Sequence, residues 1–144
     1  GLLEPRIINS CGALIRSNKT GRYLFLLRDK CSYGNTWGLP GGKFENGEST
    51  AQALARECEE ELGSRLIYQK FVPIETFTSE NQKFVYHTIL LTVDEEFIPV
   101  LNEEHKGYCW VYIEDHPKPL HPGVWKTFNF EVVKDKLDTM DRVL

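Results

Sequence analysis

Residues Gly42 to Ser64 read Gly-Lys-Phe-Glu-Asn-Gly-Glu-Ser-Thr-Ala-Gln-Ala-Leu-Ala-Arg-Glu-Cys-Glu-Glu-Glu-Leu-Gly-Ser, and this stretch decides the fold. Ser49 and Gln52 stand at the spacing of a capping box, in which each side chain satisfies a backbone N–H that the first helical turn leaves open. Thr50 to Leu62 is rich in Ala, Leu, Glu, Gln and Arg, all good helix formers. Gly63 falls where a helix turns left-handed to end. The spacing predicts a helix over 50–62, entered from the Gly/Pro-punctuated segment Trp37-Gly-Leu-Pro-Gly-Gly42 and the turn Glu45-Asn46-Gly47.

That helix carries an unusual charge pattern. At about 100° per residue, Glu57, Glu60 and Glu61 share one arc of about 100°. Ala51, Leu54, Ala55, Cys58 and Leu62 form a neighbouring apolar stripe, expected to pack on a sheet. Like charges at i, i+3 and i, i+4 repel, and carboxylates in the last turns oppose the helix dipole. A solvated acidic face is one reading. The other is a divalent cation that compensates the charge, since clustered carboxylate oxygens suit hard Mg²⁺ or Mn²⁺.

Outward from the helix, Arg6 to Ile15 and Tyr23 to Leu27 read as strands joined by the turn cluster Ser17 to Gly21, a hairpin. Arg65 to Val72, Phe84 to Val93 and Gly107 to Ile113 read as further strands. Pro117 to Pro122 is a proline-rich surface segment, and a last helix is expected over about 124–137. Trp110, Trp125, Phe128 and Phe130 are expected as core beneath it. Strands, helix, strands, helix imply a mixed sheet with helices on its faces, of α/β or α+β type. There is no repeat, linker or low-complexity tract, so residues 1–144 are read as one domain.

The spacing Gly42, Glu48, Arg56, Glu57, Glu60, Glu61, Gly63 resembles the signature of the Nudix hydrolase superfamily: Gly, five residues, Glu, seven residues, then Arg-Glu-U-x-Glu-Glu-x-Gly-U, with U apolar. All seven fixed positions match; Cys58 and Ser64 depart at the two U positions. The resemblance implies an α/β/α sandwich around a central mixed sheet, with the box as a loop–helix–loop. It implies hydrolysis of the diphosphate linkage of a nucleoside diphosphate derivative. By resemblance, Glu57, Glu60, Glu61 and the carbonyl of Gly42 ligate Mg²⁺, for which Mn²⁺ could substitute. Glu57 orients or deprotonates the attacking water, while Arg56 and Glu48 hold the glutamates by salt bridges. The chemistry agrees, because bridging cations neutralise phosphoryl charge and acidify bound water, and the rest is positioning.

Many relatives carry a further acidic ligand or base in a loop ahead of a late strand. Glu104 is the candidate here, with Glu103 behind it. The layout Glu-His-x-x-Tyr-x-Trp resembles GDP-mannose mannosyl hydrolases and offers His105 as an alternative base. His87, His116 and His121 are read as ordinary surface or strand residues. Arg28 and Lys43 are candidates for substrate phosphates, and Phe84 and Tyr86 for flanking a base. Substrate candidates are a damaged or canonical (d)NTP, a nucleotide sugar, a dinucleoside polyphosphate or a triphosphorylated RNA end. A non-catalytic nucleotide-sensing module is the competing class.

Composition bounds these readings. A formal net charge of −4 gives no general attraction to nucleic acid or anionic membrane, and an acidic protein handling phosphates needs a cation to screen repulsion. Cys11, Cys31, Cys58 and Cys109 show no CxxC spacing, so zinc, redox and disulfide frameworks are not expected. No apolar run has the length of a membrane span and no signal-peptide layout is present, so the expectation is a cytoplasmic protein. Many relatives are homodimers, which makes self-association a further expectation of the resemblance.

Overall fold

A computed structural model describes residues 6–29, 33–122 and 130–143. Cys31, Trp125, Phe128, the side chain of Phe130 and the expected first turns of the last helix lie outside the described residues. The elements are β1 (Ile8–Ser17), β2 (Tyr23–Arg28), the short β3 (Trp37–Gly38) and β4 (Gly41–Lys43), α1 (Thr50–Leu62), β5 (Lys70–Thr78), β6 (Phe84–Val93), β7 (His105–Val111), a 3₁₀ turn (Ile113–Asp115) and α2 (Phe130–Asp141). The strands join into one mixed sheet. None of the described helices is long and apolar enough to cross a membrane.

Both faces of this sheet are covered, and the sequence alternates accordingly. Cys11, Ala13 and Ile15 of β1, Leu24 and Leu26 of β2 and Ile89, Leu91 and Val93 of β6 pack with Ala53, Leu54, Cys58 and Leu62 of α1. Leu14, Tyr23, Phe25 and Leu90, each one position out of step, pack with Val133 and Leu137 of α2 on the opposite face. A strand buried on both sides reads as a continuous apolar run because side chains alternate between the faces. The result is the expected α/β/α layering.

The sheet splits between β1 and β2. β1 pairs in parallel with β6 along its length, from Ile8 with Phe84 to Ser17 with Val93. On its other edge it meets β2 at Arg16 and Tyr23, next to the hairpin turn. Beyond that point β1 and β2 diverge. β4 fills the gap along β1 (Gly12 with Gly41, Cys11 with Gly42), and β3 fills it along β2 (Leu26 with Gly38). β7 covers the far edge of β2. The Trp37–Lys43 segment is therefore a wedge hydrogen-bonded to both parting strands, and it feeds directly into α1.

The capping box at the start of α1 is present in both directions, with Ser49 Oγ accepting from Gln52 N and the Gln52 side chain accepting from Ser49 N. Its end is fixed by Gly63 at φ 84°, whose N–H donates to the Glu59 carbonyl. A Cβ there would stand 2.6 Å from Val100 Cβ.

Three expectations are corrected. Sheet pairing in β5 starts at Lys70 rather than Arg65; residues 65–69 run outside the ladder, and Ile67 is 78% exposed. β7 begins at His105, two residues earlier than expected. The buried stripe of α1 is Ala53, Leu54, Cys58, Glu61 and Leu62; Ala51 and Ala55 are exposed. Alanine is nearly indifferent to burial, so hydrophobic pattern alone misplaced the stripe by part of a turn. A carboxylate inside it was the unread clue.

Candidate active site

The wedge and α1 meet through two glycines. The Gly41 N–H donates to Glu61 Oε2 at 2.8 Å. The Glu57 carboxylate lies against the Gly42 backbone so closely that a Cβ at 42 would stand 2.7 Å from its carbon and from Oε1. A side chain at 42 would require the Glu57 carboxylate to move. The carbonyl of Gly42 receives the Cys11 S–H at 3.6 Å; burial pushes that thiol up to about 11, so it remains protonated and donating.

Arg56 organises the acidic side chains. Its Nε and Nη2 bind the two Glu48 oxygens at 2.9 and 3.0 Å, Nη1 binds Glu57 Oε1 at 2.9 Å, and Nη2 also reaches the Lys43 carbonyl at 2.9 Å. A planar guanidinium presents its donors in a fixed fork, so one side chain sets Glu57 relative to Glu48 and the wedge backbone. Glu48 accepts in addition from Glu45 N at 2.7 Å. Arg56 therefore holds the Glu48 carboxyl below its usual range. Glu60 stays 56% exposed, with an oxygen 3.6 Å from Arg56 Nη1.

Glu61 is 3% exposed. Burial drives its carboxyl up to about 9, against the opposing Gly41 hydrogen bond, with Glu57 and Glu104 adding repulsion. Glu57 is also raised, first by burial, with Arg56 opposing. Facing Glu61 is His105, the first residue of β7, whose Nδ1 lies 3.9 Å from Glu61 Oε1. Burial holds this imidazole down at about 4, so it is neutral. Its Nδ1 is buried without a hydrogen-bond partner. Donor atoms of Glu61, Glu104 and His105 lie within 4.8 Å of one another. Crowded, desolvated carboxylates and an orphaned nitrogen fit a divalent cation, which would relieve both the repulsion and the missing partner.

The four expected substrate residues come together. Arg28 of β2, Lys43 of β4 and Phe84 and Tyr86 of β6 line one cavity of about 310 Å³ whose floor includes Gly41 and Gly42. The Phe84 and Tyr86 rings sit 6.4 Å apart, tilted by 32°. His121, read from sequence as an ordinary residue, belongs to the same wall. A larger groove of about 560 Å³ lies between α1 and residues 65–71. It is walled mainly by apolar side chains and does not include the carboxylates. From the sequence His105 is an alternative base; the fold also makes it a neighbour of Glu61. Its signal was adjacency to Glu104 at a strand start.

A family model for the NUDIX domain matches residues 8–130. The chain belongs to the Nudix hydrolase family. It is 32% identical over 107 residues to the nucleoside triphosphatase NudI of Escherichia fergusonii, covering 66% of this chain and 76% of the relative. The MutT protein of Methanosarcina mazei Go1 superposes with a TM-score of 0.70 at 27% identity, covering 97% of this chain and 99% of that one. The MutT NUDIX hydrolase of Burkholderia pseudomallei gives 0.68 at 26%, covering 93% and 98%. In this Nudix fold, the loop–helix–loop of the family is the wedge and α1.

Proposed function

We propose that this Nudix hydrolase is a divalent-metal-dependent pyrophosphohydrolase of nucleoside triphosphates, converting NTP and water to a nucleoside monophosphate and pyrophosphate. The observation that carries the reading is the junction of the carboxylate cluster with the Arg28–Lys43–Phe84–Tyr86 cavity across Gly42. Similarity to a nucleoside triphosphatase supports the choice of substrate over a nucleotide sugar or a dinucleoside polyphosphate.

Glu57, Glu60, Glu61 and Glu104, with the Gly42 carbonyl, would hold Mg²⁺ or Mn²⁺. When bound, the cation neutralises phosphoryl charge and acidifies water. In this reading Glu57 accepts the proton of the attacking water. Arg56 and Glu48 keep Glu57 oriented and touch no substrate. Arg28 and Lys43 bind phosphate oxygens, and Phe84 and Tyr86 flank the base. His105, almost fully enclosed, is poorly placed to exchange protons with water.

The test is a panel of nucleotides with Mg²⁺ or Mn²⁺, products separated by chromatography. The expected result is monophosphate plus pyrophosphate from a triphosphate, abolished by EDTA and reduced by orders of magnitude in Glu57→Gln. Turnover of only a nucleotide sugar, or release of a single phosphate, would overturn the substrate assignment. Cation binding without turnover of any nucleotide would favour a sensing module.

A further inference from the structure

We propose that His105 Nδ1, together with the carboxylates of Glu61 and Glu104, forms a mixed nitrogen–oxygen cation site that favours Mn²⁺ over Mg²⁺. The inference rests on the metal-dependent reading above and adds to it a nitrogen ligand and a metal preference.

The donors come from two elements that the fold fixes independently. Glu61 sits in the last turn of α1 with Oε2 tied to Gly41 N–H, which leaves Oε1 turned toward His105. Glu104 and His105 enter β7 from a pinned loop. Glu104 N donates to Asn102 Oδ1 at 3.1 Å, and the Glu104 carbonyl accepts from Asp29 N at 2.9 Å. Both the Glu61 and His105 side chains are more than nine-tenths buried.

Between them the 3.9 Å gap is too long for a hydrogen bond. Two donors each about 2.1 Å from a shared octahedral ion stand about 3.0 Å apart when adjacent and about 4.2 Å apart when opposite, so the 3.9 Å gap is within the reach of one bridging cation. A buried nitrogen with no partner costs stability, and a metal supplies the partner. Mg²⁺ strongly prefers oxygen, whereas an imidazole donor raises affinity for first-row transition ions. A carboxylate pair alone would give no such preference.

The test uses the full chain, stripped of metal and loaded with Mn²⁺, read by pulsed electron paramagnetic resonance. The expected spectrum shows ¹⁴N coupling from a directly bound imidazole. In His105→Gln that coupling disappears and Mn²⁺ affinity falls by about tenfold or more, while Mg²⁺ affinity, measured by competition, changes by less than about threefold. Should His105→Gln fail to fold, the exposed Glu104→Gln serves: Mn²⁺ binding weakens while the ¹⁴N coupling persists. Bound Mn²⁺ without nitrogen coupling, or equal loss of both cations in His105→Gln, overturns the proposal. If wild-type protein still hydrolyses nucleotides with Mg²⁺ in that case, only this inference falls. If it binds no divalent cation and hydrolyses nothing, the proposed function falls with it.

Discussion

The guanidinium of Arg56 grips both oxygens of Glu48, at 2.9 and 3.0 Å, while its remaining Nη1 holds Glu57. A guanidinium inside an acidic site thus fixes the place of a carboxylate, and in the proposed reading it does so without meeting substrate. Lysine keeps the charge but not the fork. Arg56→Lys is expected to lower kcat about 10- to 100-fold, with KM changed far less, because substrate contacts stay in place. Steady-state kinetics on a nucleotide substrate decides it; an equal rise in KM would place Arg56 against the substrate instead.

Glu61 is a carboxylate set into a helix stripe that otherwise packs on the sheet. Glutamine keeps its shape and can still accept from Gly41 N–H, while removing a carboxyl that must hold a proton to stay buried at neutral pH, a proton the unfolded chain has released. In metal-free protein, Glu61→Gln should raise the stability at neutral pH by about 1–3 kcal/mol. Cation binding should weaken in the same variant. Chemical denaturation with and without Mn²⁺ reads both effects, and a destabilised metal-free variant would contradict the assignment.

Gly42→Ala puts a methyl group where the Glu57 carboxylate lies. The expected outcome is a loss of activity of about a hundredfold from misplacing that one group, with cation affinity reduced as well. The crystal structure of the variant would show Glu57 displaced; unchanged kcat would mean that Glu57 has room to yield.

Acid stability depends on a pair far from the site. Arg22 binds Glu96 through Nε and Nη2 at 2.6 Å, and Thr20 Oγ1 donates to the same carboxylate at 2.6 Å. These bonds hold the folded Glu96 pKa below its ordinary value of 4.5. A depressed carboxyl means the unfolded chain binds the proton more tightly, so its contribution is complete above pH 4.5 and fades as pH falls through the folded value. Urea midpoints should therefore fall more steeply on acidification for wild type than for Glu96→Gln. Parallel curves would show that the pair contributes nothing.

Local chemistry made part of this molecule readable. The capping box at Ser49 and the glycine at 63 delimited α1 because helix ends obey short-range hydrogen-bonding rules. The places of Glu48, Arg56 and Glu57 were implied by the resemblance of their spacing to the Nudix signature. What escaped was non-local. Nothing in residues 8–17 announces that they pair in parallel with 84–93. The segment 65–69 carries strand-like residues, yet its backbone meets β6 only at Gln69, whose N–H donates to the Thr92 carbonyl, before regular pairing begins at Lys70. His105 was legible as a histidine near acids, but its burial against Glu61 is set by the pairing of β7 with β2.

The wedge between β1 and β2 also bears on how this chain matures. β1 cannot complete its main ladder until Phe84–Val93 exists, and β2 cannot complete its own until His105–Val111 does. Contacts between distant parts of a chain form late because closing the intervening loop must come first. A nascent polypeptide therefore displays its glutamate-rich helix well before Glu104 and His105 are synthesised. The complete donor set is a product of late folding, and activity is expected to appear in one step once β7 has paired with β2 rather than to grow with length.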